Sequence, residues 1–265
     1  MPYHVVPDGT RIFFTDDGEG PASVLFLHGW TCDSHDWSWQ LPAFAERFRV
    51  IAPDLRGHGR SSTPANGYTP AGFAADIASL LKALDTGPTV VIGHSLGGAI
   101  AAHLAVDHPD LVQAVVAVDS SYGPVPNGAE PSELVAGLRS PRCHDVVEAI
   151  CDGLTVPSTP PALLTWYQRR GVGTDPEVIA ATCEGLLNEE GGIGPTAAFL
   201  RRRPVPVLAV HRTPANAEWE AATLGSDGRS QLVLWEGLGH WLHQEQPDRF
   251  NDAVLAWLER VAIPA

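Results

Sequence analysis

Apolar residues form short runs along this chain, and the runs alternate with longer stretches of helical periodicity. Six runs are nearly continuous in apolar residues and rich in β-branched side chains, which is typical of strands buried on both faces. They predict strands at Val24–Leu27, Val50–Ala52, Val90–Ile92, Val115–Val118, Val207–Val210 and Leu232–Leu234. Helices are predicted at Ser38–Arg47, Ala71–Leu84, Ala99–Asp107, Ala217–Leu224 and Asp248–Arg260. This alternation predicts an α/β fold with a mostly parallel twisted sheet flanked by helices, and with Arg11–Thr15 as an antiparallel edge strand.

The alternation stops between Ser120 and Arg203, where no strand pattern occurs. Proline, glycine and apolar residues at helical spacing dominate this segment, and they predict helices at Cys143–Leu154, Ala162–Arg170 and Pro176–Leu187. We interpret residues 121–203 as a helical cap, with residues 1–120 and 204–265 forming one core domain. A cap over the carboxyl edge of the sheet would enclose a pocket.

Charge and composition limit the kinds of molecule that this chain is expected to bind. The 265 residues include 31 acidic and 17 basic side chains, a net charge of −14, which disfavours nucleic acid and anionic lipid. No stretch approaches the ~20 apolar residues of a membrane span, and the first residues lack the features of a signal peptide. We therefore expect a cytoplasmic monomer or homodimer that acts on a small-molecule substrate, without nucleic acid or membrane partners.

The four cysteines, Cys32, Cys143, Cys151 and Cys183, show neither a CxxC pair nor an adjacent histidine pattern. They are expected to be free thiols, and the sequence predicts no metal and no organic cofactor.

A glycine-flanked serine follows the strand predicted at Val90–Ile92. Residues 93–97 read Gly-His-Ser-Leu-Gly, which fits the pattern G-x-S-x-G, and a small-residue helix is predicted after them. This spacing places the serine on a tight strand-to-helix turn, where the positions two before and two after it must be small. Such a turn exposes the hydroxyl and places the Leu96 N–H at a helix N-terminus, where it can donate to an oxyanion. We predict that Ser95 is a nucleophile.

The loop after the first predicted parallel strand begins His28-Gly29-Trp30. Gly29 lets the chain turn, so that the Trp30 N–H can point at a substrate carbonyl. Trp30 and Leu96 are therefore the predicted oxyanion hole, and Gly29 with the Trp30 indole is predicted to line the substrate pocket. Packing of this tryptophan in the core is the alternative.

A histidine follows the last predicted strand. Residues 237–240 read Gly-Leu-Gly-His, between Leu232–Leu234 and a helix that begins near Asp248. A histidine on a glycine-flanked loop at the carboxyl end of a strand can reach Ser95, and imidazole is suited to general base catalysis. We predict that His240 is the base.

Together, four segments resemble the α/β-hydrolase superfamily: the loop at 27–30, the Asp-Leu-Arg-Gly-His-Gly-Arg-Ser stretch at 54–61, the elbow at 93–98, and Gly239-His240 followed by Glu245-Gln246-Pro247. The resemblance covers nearly the whole chain outside the cap. It implies the α/β-hydrolase fold and a triad in the order serine, acid, histidine, but it says little about the substrate. In that family the stretch Arg56–Ser61 is a structural loop.

The position of the acidic triad residue departs from the pattern of the family. Members usually carry an aspartate soon after the strand that corresponds to Val207–Val210, but residues 211–216 here read His-Arg-Thr-Pro-Ala-Asn. Asp119, which ends the strand Val115–Val118, is the candidate we favour because it would lie on the same sheet edge as Ser95. Zearalenone-type lactonases and cofactor-independent dioxygenases, which this chain resembles here, place their acid after this strand. Glu218, or a triad without a carboxylate, is the alternative.

Two further groups of residues are candidates for binding. Trp166 in the cap and Trp241 beside the base predict, with Trp30, an aromatic-lined pocket for an apolar or aromatic substrate, although ordinary packing is the alternative. The run Arg201–Arg203 could form an anion site, but we interpret it as a solvated run at a helix end.

These features predict a serine hydrolase that cleaves a carboxylic ester or lactone through an acyl-enzyme. One alternative is a cofactor-independent dioxygenase that uses a His–Asp pair, although those enzymes carry a histidine where this chain has Leu96. The other is a non-catalytic small-molecule receptor, whose support is the acid missing from the usual place.

Overall fold

The computed structural model describes residues 3–120, 122–123, 131–187, 192–225 and 228–263. Within these ranges eight strands form one sheet: β1 Tyr3–Val5, β2 Arg11–Asp17, β3 Ser23–Leu27, β4 Arg49–Pro53, β5 Thr89–His94, β6 Val112–Val118, β7 Val207–His211 and β8 Gln231–Leu234. Their order is β1-β2-β4-β3-β5-β6-β7-β8. Strand β2 runs antiparallel to both of its neighbours, and the six strands from β4 to β8 in this order pair in parallel.

The described α-helices are α1 Leu41–Ala45, α2 Pro70–Ala83, α3 Leu96–Asp107, α4 Pro131–Leu138, α5 Cys143–Gly153, α6 Pro161–Gly173, α7 Pro176–Leu186, α8 Ala197–Leu200, α9 Pro214–Ala221, α10 Leu242–Glu245 and α11 Pro247–Arg260. Among the described residues, no helix is long and apolar enough to cross a membrane.

Helices cover both faces of the sheet, which explains why the central strands read as continuous apolar runs. In β3, Leu25 and Leu27 pack into one core with residues of α2 and α3, whereas Val24 and Phe26 pack into a second core with residues of α1 and α11. Successive side chains of a strand point to opposite faces, so a strand between two cores must be apolar at every position. The predicted α/β class is confirmed.

The ends of the sheet differ from the expectation. The segment Arg11–Thr15 is confirmed as part of an antiparallel strand, but β1 pairs beyond it and takes the edge position.

Two helices also differ from their predicted bounds. The helix predicted at Ser38–Arg47 is wrong in extent, because α1 covers only five residues and is preceded by a 3₁₀ turn at Ser34–Trp37. Helix α9 begins three residues before the predicted start, since the Thr213 hydroxyl caps it and Pro214 takes its first position.

Helices α4 to α8 lie between β6 and β7 and form the insertion that the sequence predicts. Apolar residues of α4 to α7 pack together and against Cys32 and Trp241 of the sheet domain. The insertion therefore covers the loops that follow β3 and β8. The boundaries proposed for a cap stay a prediction, and residue 121, its predicted first residue, lies outside the described residues.

Candidate active site

Ser95 is the one residue between strand β5, which ends at His94, and helix α3, which begins at Leu96. Its backbone has φ 53° and ψ −114°, a conformation that non-glycine residues rarely adopt and that is found at strained functional turns. A Cβ at Gly93 would overlap the carbonyl oxygen of Gly97. The expectation that the residues two before and two after the serine must be small is therefore confirmed.

The elbow is tied to the neighbouring strand β6. The Ser95 N–H donates to the Val118 carbonyl at 2.9 Å, and Asp119 is the next residue. The Asp119 N–H in turn donates to the Val210 carbonyl of β7 at 2.8 Å. Ser95 and Asp119 thus leave adjacent parallel strands at the same carboxyl edge.

His240 reaches this edge on the loop between β8 and α10. Its Nδ1 lies 2.6 Å from Asp119 Oδ2, and both side chains are nearly buried. The loop is held in place by the His240 N–H, which donates to the Leu154 carbonyl at 2.8 Å, and by the Gly239 N–H, which donates to Glu245 at 3.0 Å. The imidazole is therefore oriented by a carboxylate on one ring nitrogen, which leaves Nε2 for proton transfer.

Asp119 is a buried carboxylate surrounded by donors. Arg212 donates to it through Nε at 3.0 Å, in addition to the contact with His240. Burial alone would raise the pKa of Asp119, but the imidazoles of His211 and His240 and the guanidinium of Arg212 outweigh burial and hold that pKa well below its ordinary value. Asp119 is therefore ionised at neutral pH. Glu218, the alternative acid, lies on an exposed face of α9.

The loop after β3 lies directly against Ser95. A Cβ at Gly29 would come within 3.3 Å of the Ser95 Cβ. The ring of His28 supports this loop, because its Nδ1 donates to the Gly29 carbonyl at 2.8 Å and its Nε2 accepts from the Leu55 N–H at 3.0 Å. The oxyanion role predicted for the Trp30 and Leu96 amides stays a prediction.

The aromatic residues of the sequence analysis occupy different places. The Trp30 indole donates to the Ile179 carbonyl of α7 at 3.1 Å, so it joins the sheet domain to the insertion. Trp241 is buried, with its ring stacked on Tyr167 of α6 at 3.9 Å. Trp166 is 40% exposed, and its ring lies 6.3 Å from that of His35. Tyr167, named with Trp166 from the sequence as a cap aromatic, is therefore the α6 aromatic beside the His240 loop, since helix neighbours point in different directions.

A buried polar cluster that lies close to the Ser95 turn was not predicted from the sequence. Asp36, His94 and His243 present ligand atoms within 4.8 Å of one another, and Arg170 of α6 forms an ion pair with Asp36. The His94 Nε2 donates to the His240 carbonyl at 3.0 Å. A carboxylate and two imidazoles are a donor set that suits zinc. The guanidinium, however, already supplies the positive charge beside the one carboxylate, so we interpret the cluster as charge-paired. Its members are far apart in sequence, and no local pattern signals it.

The interpretation of Arg201–Arg203 as a solvated run is wrong at its last residue. Arg203 is buried, and its Nη2 donates to Glu220 of α9 at 3.0 Å. The other two arginines are exposed. A single charged run at a helix end can thus contain one core ion pair, which composition alone does not reveal.

Residues 22–138 match the model of a family described as the alpha/beta hydrolase fold. The chain is 33% identical to a non-heme chloroperoxidase of Streptomyces lividans, over 95% of this chain and 97% of that relative. The chain belongs to the alpha/beta hydrolase family.

Other members of the alpha/beta hydrolase family are similar over almost their full length. A bifunctional esterase/perhydrolase of Acinetobacter calcoaceticus is 29% identical over 97% of this chain and 99% of its own. The solved structure of an N-acyl homoserine lactone degrading enzyme superposes with a TM-score of 0.82, at 26% identity, over 96% of this chain and 99% of that chain. Relatives of this alpha/beta hydrolase therefore include esterases, lactonases and haloperoxidases.

Proposed function

We propose that this alpha/beta hydrolase cleaves carboxylic esters or lactones of small, apolar or aromatic molecules with Ser95 as the nucleophile. The observation that carries the proposal is the 2.6 Å contact between His240 Nδ1 and Asp119 Oδ2 on the sheet edge that holds the strained Ser95 turn. A carboxylate that orients a histidine beside a strained serine is the arrangement that activates a hydroxyl for acyl transfer.

The first half of the reaction transfers the acyl group to the enzyme. Ser95 Oγ attacks the carbonyl carbon while His240 Nε2 takes the hydroxyl proton. Asp119 stabilises the imidazolium that forms, and the negative charge on the carbonyl oxygen is stabilised by the amides of Trp30 and Leu96. Collapse of the tetrahedral intermediate breaks the ester C–O bond, and His240 returns the proton to the leaving alcohol.

The second half releases the acid. Water attacks the acyl-enzyme as His240 again removes a proton, and collapse restores the Ser95 hydroxyl. For a lactone the alcohol and acid stay joined, so one hydroxy acid is the product. This mechanism uses side chains and backbone amides of the chain itself, and no step requires a metal or organic cofactor.

The substrate class is supported by the relatives and by the aromatic side chains near the base. The esterase/perhydrolase and the lactone degrading enzyme align over nearly all of this chain. Trp241 and Tyr167 place apolar rings beside the His240 loop, with the rings of Trp241 and His240 5.2 Å apart. Apolar rings beside the base favour substrates with apolar or aromatic groups.

Turnover of a matched set of esters and lactones tests the proposal. We expect the wild-type protein to hydrolyse short p-nitrophenyl esters or aliphatic lactones in a pH-stat, and Ser95→Ala to lose at least about 10³-fold in kcat. Ser132→Ala, at an exposed serine of α4, is the control and should retain full activity. Turnover unchanged in Ser95→Ala would refute the serine mechanism. Oxygen uptake with a hydroxyquinolone, in place of hydrolysis, would instead indicate dioxygenase chemistry.

A further inference from the structure

His211 ends β7 between two buried carboxylates. Its Nδ1 lies 3.6 Å from Asp119 Oδ1, and its Nε2 lies 3.3 Å from Glu220 Oε2. All three side chains are almost completely excluded from solvent. One imidazole thus faces a carboxylate oxygen with each of its ring nitrogens.

Both carboxylates are ionised, because each also accepts from other donors. Asp119 accepts from Arg212 and faces the His240 ring, and Glu220 accepts from Arg203 at 3.0 Å. An ionised carboxylate can only accept hydrogen bonds, and a neutral imidazole would turn a lone pair toward one of them. The hydrogen-bonding contact with Glu220 and the longer ion-pair contact with Asp119 therefore both favour a ring with protons on both nitrogens.

Each buried carboxylate in this chain of contacts is paired with a buried cation. Two carboxylates, Asp119 and Glu220, are matched by the cations of His211 and Arg203, and Arg212 adds a further, less buried cation. The Tyr122 phenol, also buried, lies beside Glu220 and Arg203. Burial alone would lower the pKa of His211, but Asp119 and Glu220 outweigh burial and raise it to about 9. Buried ions are tolerated when they are paired in this way.

We propose that His211 is a doubly protonated positioning residue that keeps Asp119 ionised and aims its second oxygen at His240, an inference that rests on the proposed hydrolase function. The cation occupies the end of β7, the strand after which this chain lacks an acid. It lies beside Asp119 Oδ1, whereas Oδ2 faces His240 and also accepts from Arg212 Nε. Its charge also opposes protonation of Asp119.

Ring-nitrogen NMR tests the protonation state without any need for turnover. In ¹H–¹⁵N spectra of the wild-type protein, the His211 signals are assigned by their loss in His211→Asn. We expect both nitrogens to be protonated from pH 6 to pH 8, with the proton lost near pH 9. A His211 ring with one unprotonated nitrogen at pH 7.5 would overturn the proposal. If His211→Asn does not fold, the His211 signals are identified as the ring signals that shift in Glu220→Gln, where the proton should be lost at lower pH.

The pH profile of kcat/KM for ester hydrolysis tests the effect on the site. The His211→Asn amide keeps a donor toward Asp119 but removes the charge, so we expect the acidic limb to move to higher pH by about one unit. His103→Asn is the matched control, because His103 also contacts an aspartate, Asp107, but on the outer surface of α3; its limb should not move. An acidic limb of kcat/KM at the same pH in wild type and in His211→Asn would contradict the proposal. An absence of hydrolysis in every variant would refute the proposed function, and the NMR result would still decide the state of His211.

Discussion

Asp119 and His240 meet at 2.6 Å although Asp119 follows the end of β6, the strand next to β5, which precedes Ser95. Asp119 adopts φ 39°, in the left-handed region that non-glycine residues seldom occupy. Ser95 shares this feature with φ 53°, so both residues leave their strands through strained turns. The hydrogen bond from the Ser95 N–H to the Val118 carbonyl joins the two turns on one edge of the sheet.

Loss of the Asp119 charge is expected to disable the base. In Asp119→Asn the amide cannot stabilise the imidazolium and favours the wrong tautomer of His240, so kcat for ester hydrolysis should fall by about 10³ to 10⁴. Glu218→Gln, at the other candidate acid, should leave kcat unchanged. Steady-state kinetics at pH 7.5 checks both. A large loss in Glu218→Gln with little effect in Asp119→Asn would reverse the assignment.

The tight elbow is expected to reject even a methyl group. A Cβ at Gly93 would overlap backbone at Gly97, so Gly93→Ala should lower the free energy of unfolding by about 2 to 3 kcal/mol. Gly153→Ala, at the end of α5, is the control because a Cβ there meets nothing within 4 Å. That change should be neutral or stabilise by up to about 1 kcal/mol. Urea unfolding measures both, and equal stability of the two variants would contradict the packing argument.

Arg170 is expected to be important for holding the insertion on the sheet domain. Its guanidinium is buried against Asp36, so Arg170→Ala would leave a carboxylate buried without its cation, at a cost of about 3 to 5 kcal/mol. Arg142→Ala removes an exposed pair with Asp145 and should change stability by less than about 0.5 kcal/mol. Thermal and urea unfolding report the difference. Similar small effects of both substitutions would show that the Asp36–Arg170 pair contributes little.

The raised pKa of His211 predicts a specific pH dependence of stability. A histidine whose folded-state pKa rises from 6.5 to about 9 stabilises the fold fully below pH 6.5, and this contribution is lost as the pH rises to 9. The shift corresponds to about 3 kcal/mol. The stability difference between wild type and His211→Asn should therefore shrink by about that amount between pH 6 and pH 9.5 in urea unfolding. A difference that does not change with pH would contradict the raised pKa.

The serine turn and the strands buried on both faces could be predicted from short stretches of sequence. The strand before Ser95 and the glycines around it lie within one short segment, so the elbow could be predicted from that segment alone. The same holds for the strands buried on both faces, whose apolar runs are continuous. Asp119 could be proposed because the strands are parallel, which brings their carboxyl ends to one edge.

Contacts between distant segments could not be predicted in this way. Arg203 and Glu220 pair in the core although each belongs to a stretch that looks solvated, and Arg170 crosses from the insertion to Asp36. The buried role of a charged residue depends on a partner that the tertiary fold supplies. The stacking of Tyr167 on Trp241 is a similar case, because two adjacent α6 aromatics differ only in the direction they face.

Intact mass spectrometry after exposure to a fluorophosphonate probe tests the activated serine most directly. We expect one adduct on the wild-type protein, no adduct on Ser95→Ala, and labelling slowed by at least about 10²-fold in Asp119→Asn. Labelling that persists in Ser95→Ala, or a wild-type protein that is not labelled, would contradict the claim that the Asp119–His240 pair activates Ser95.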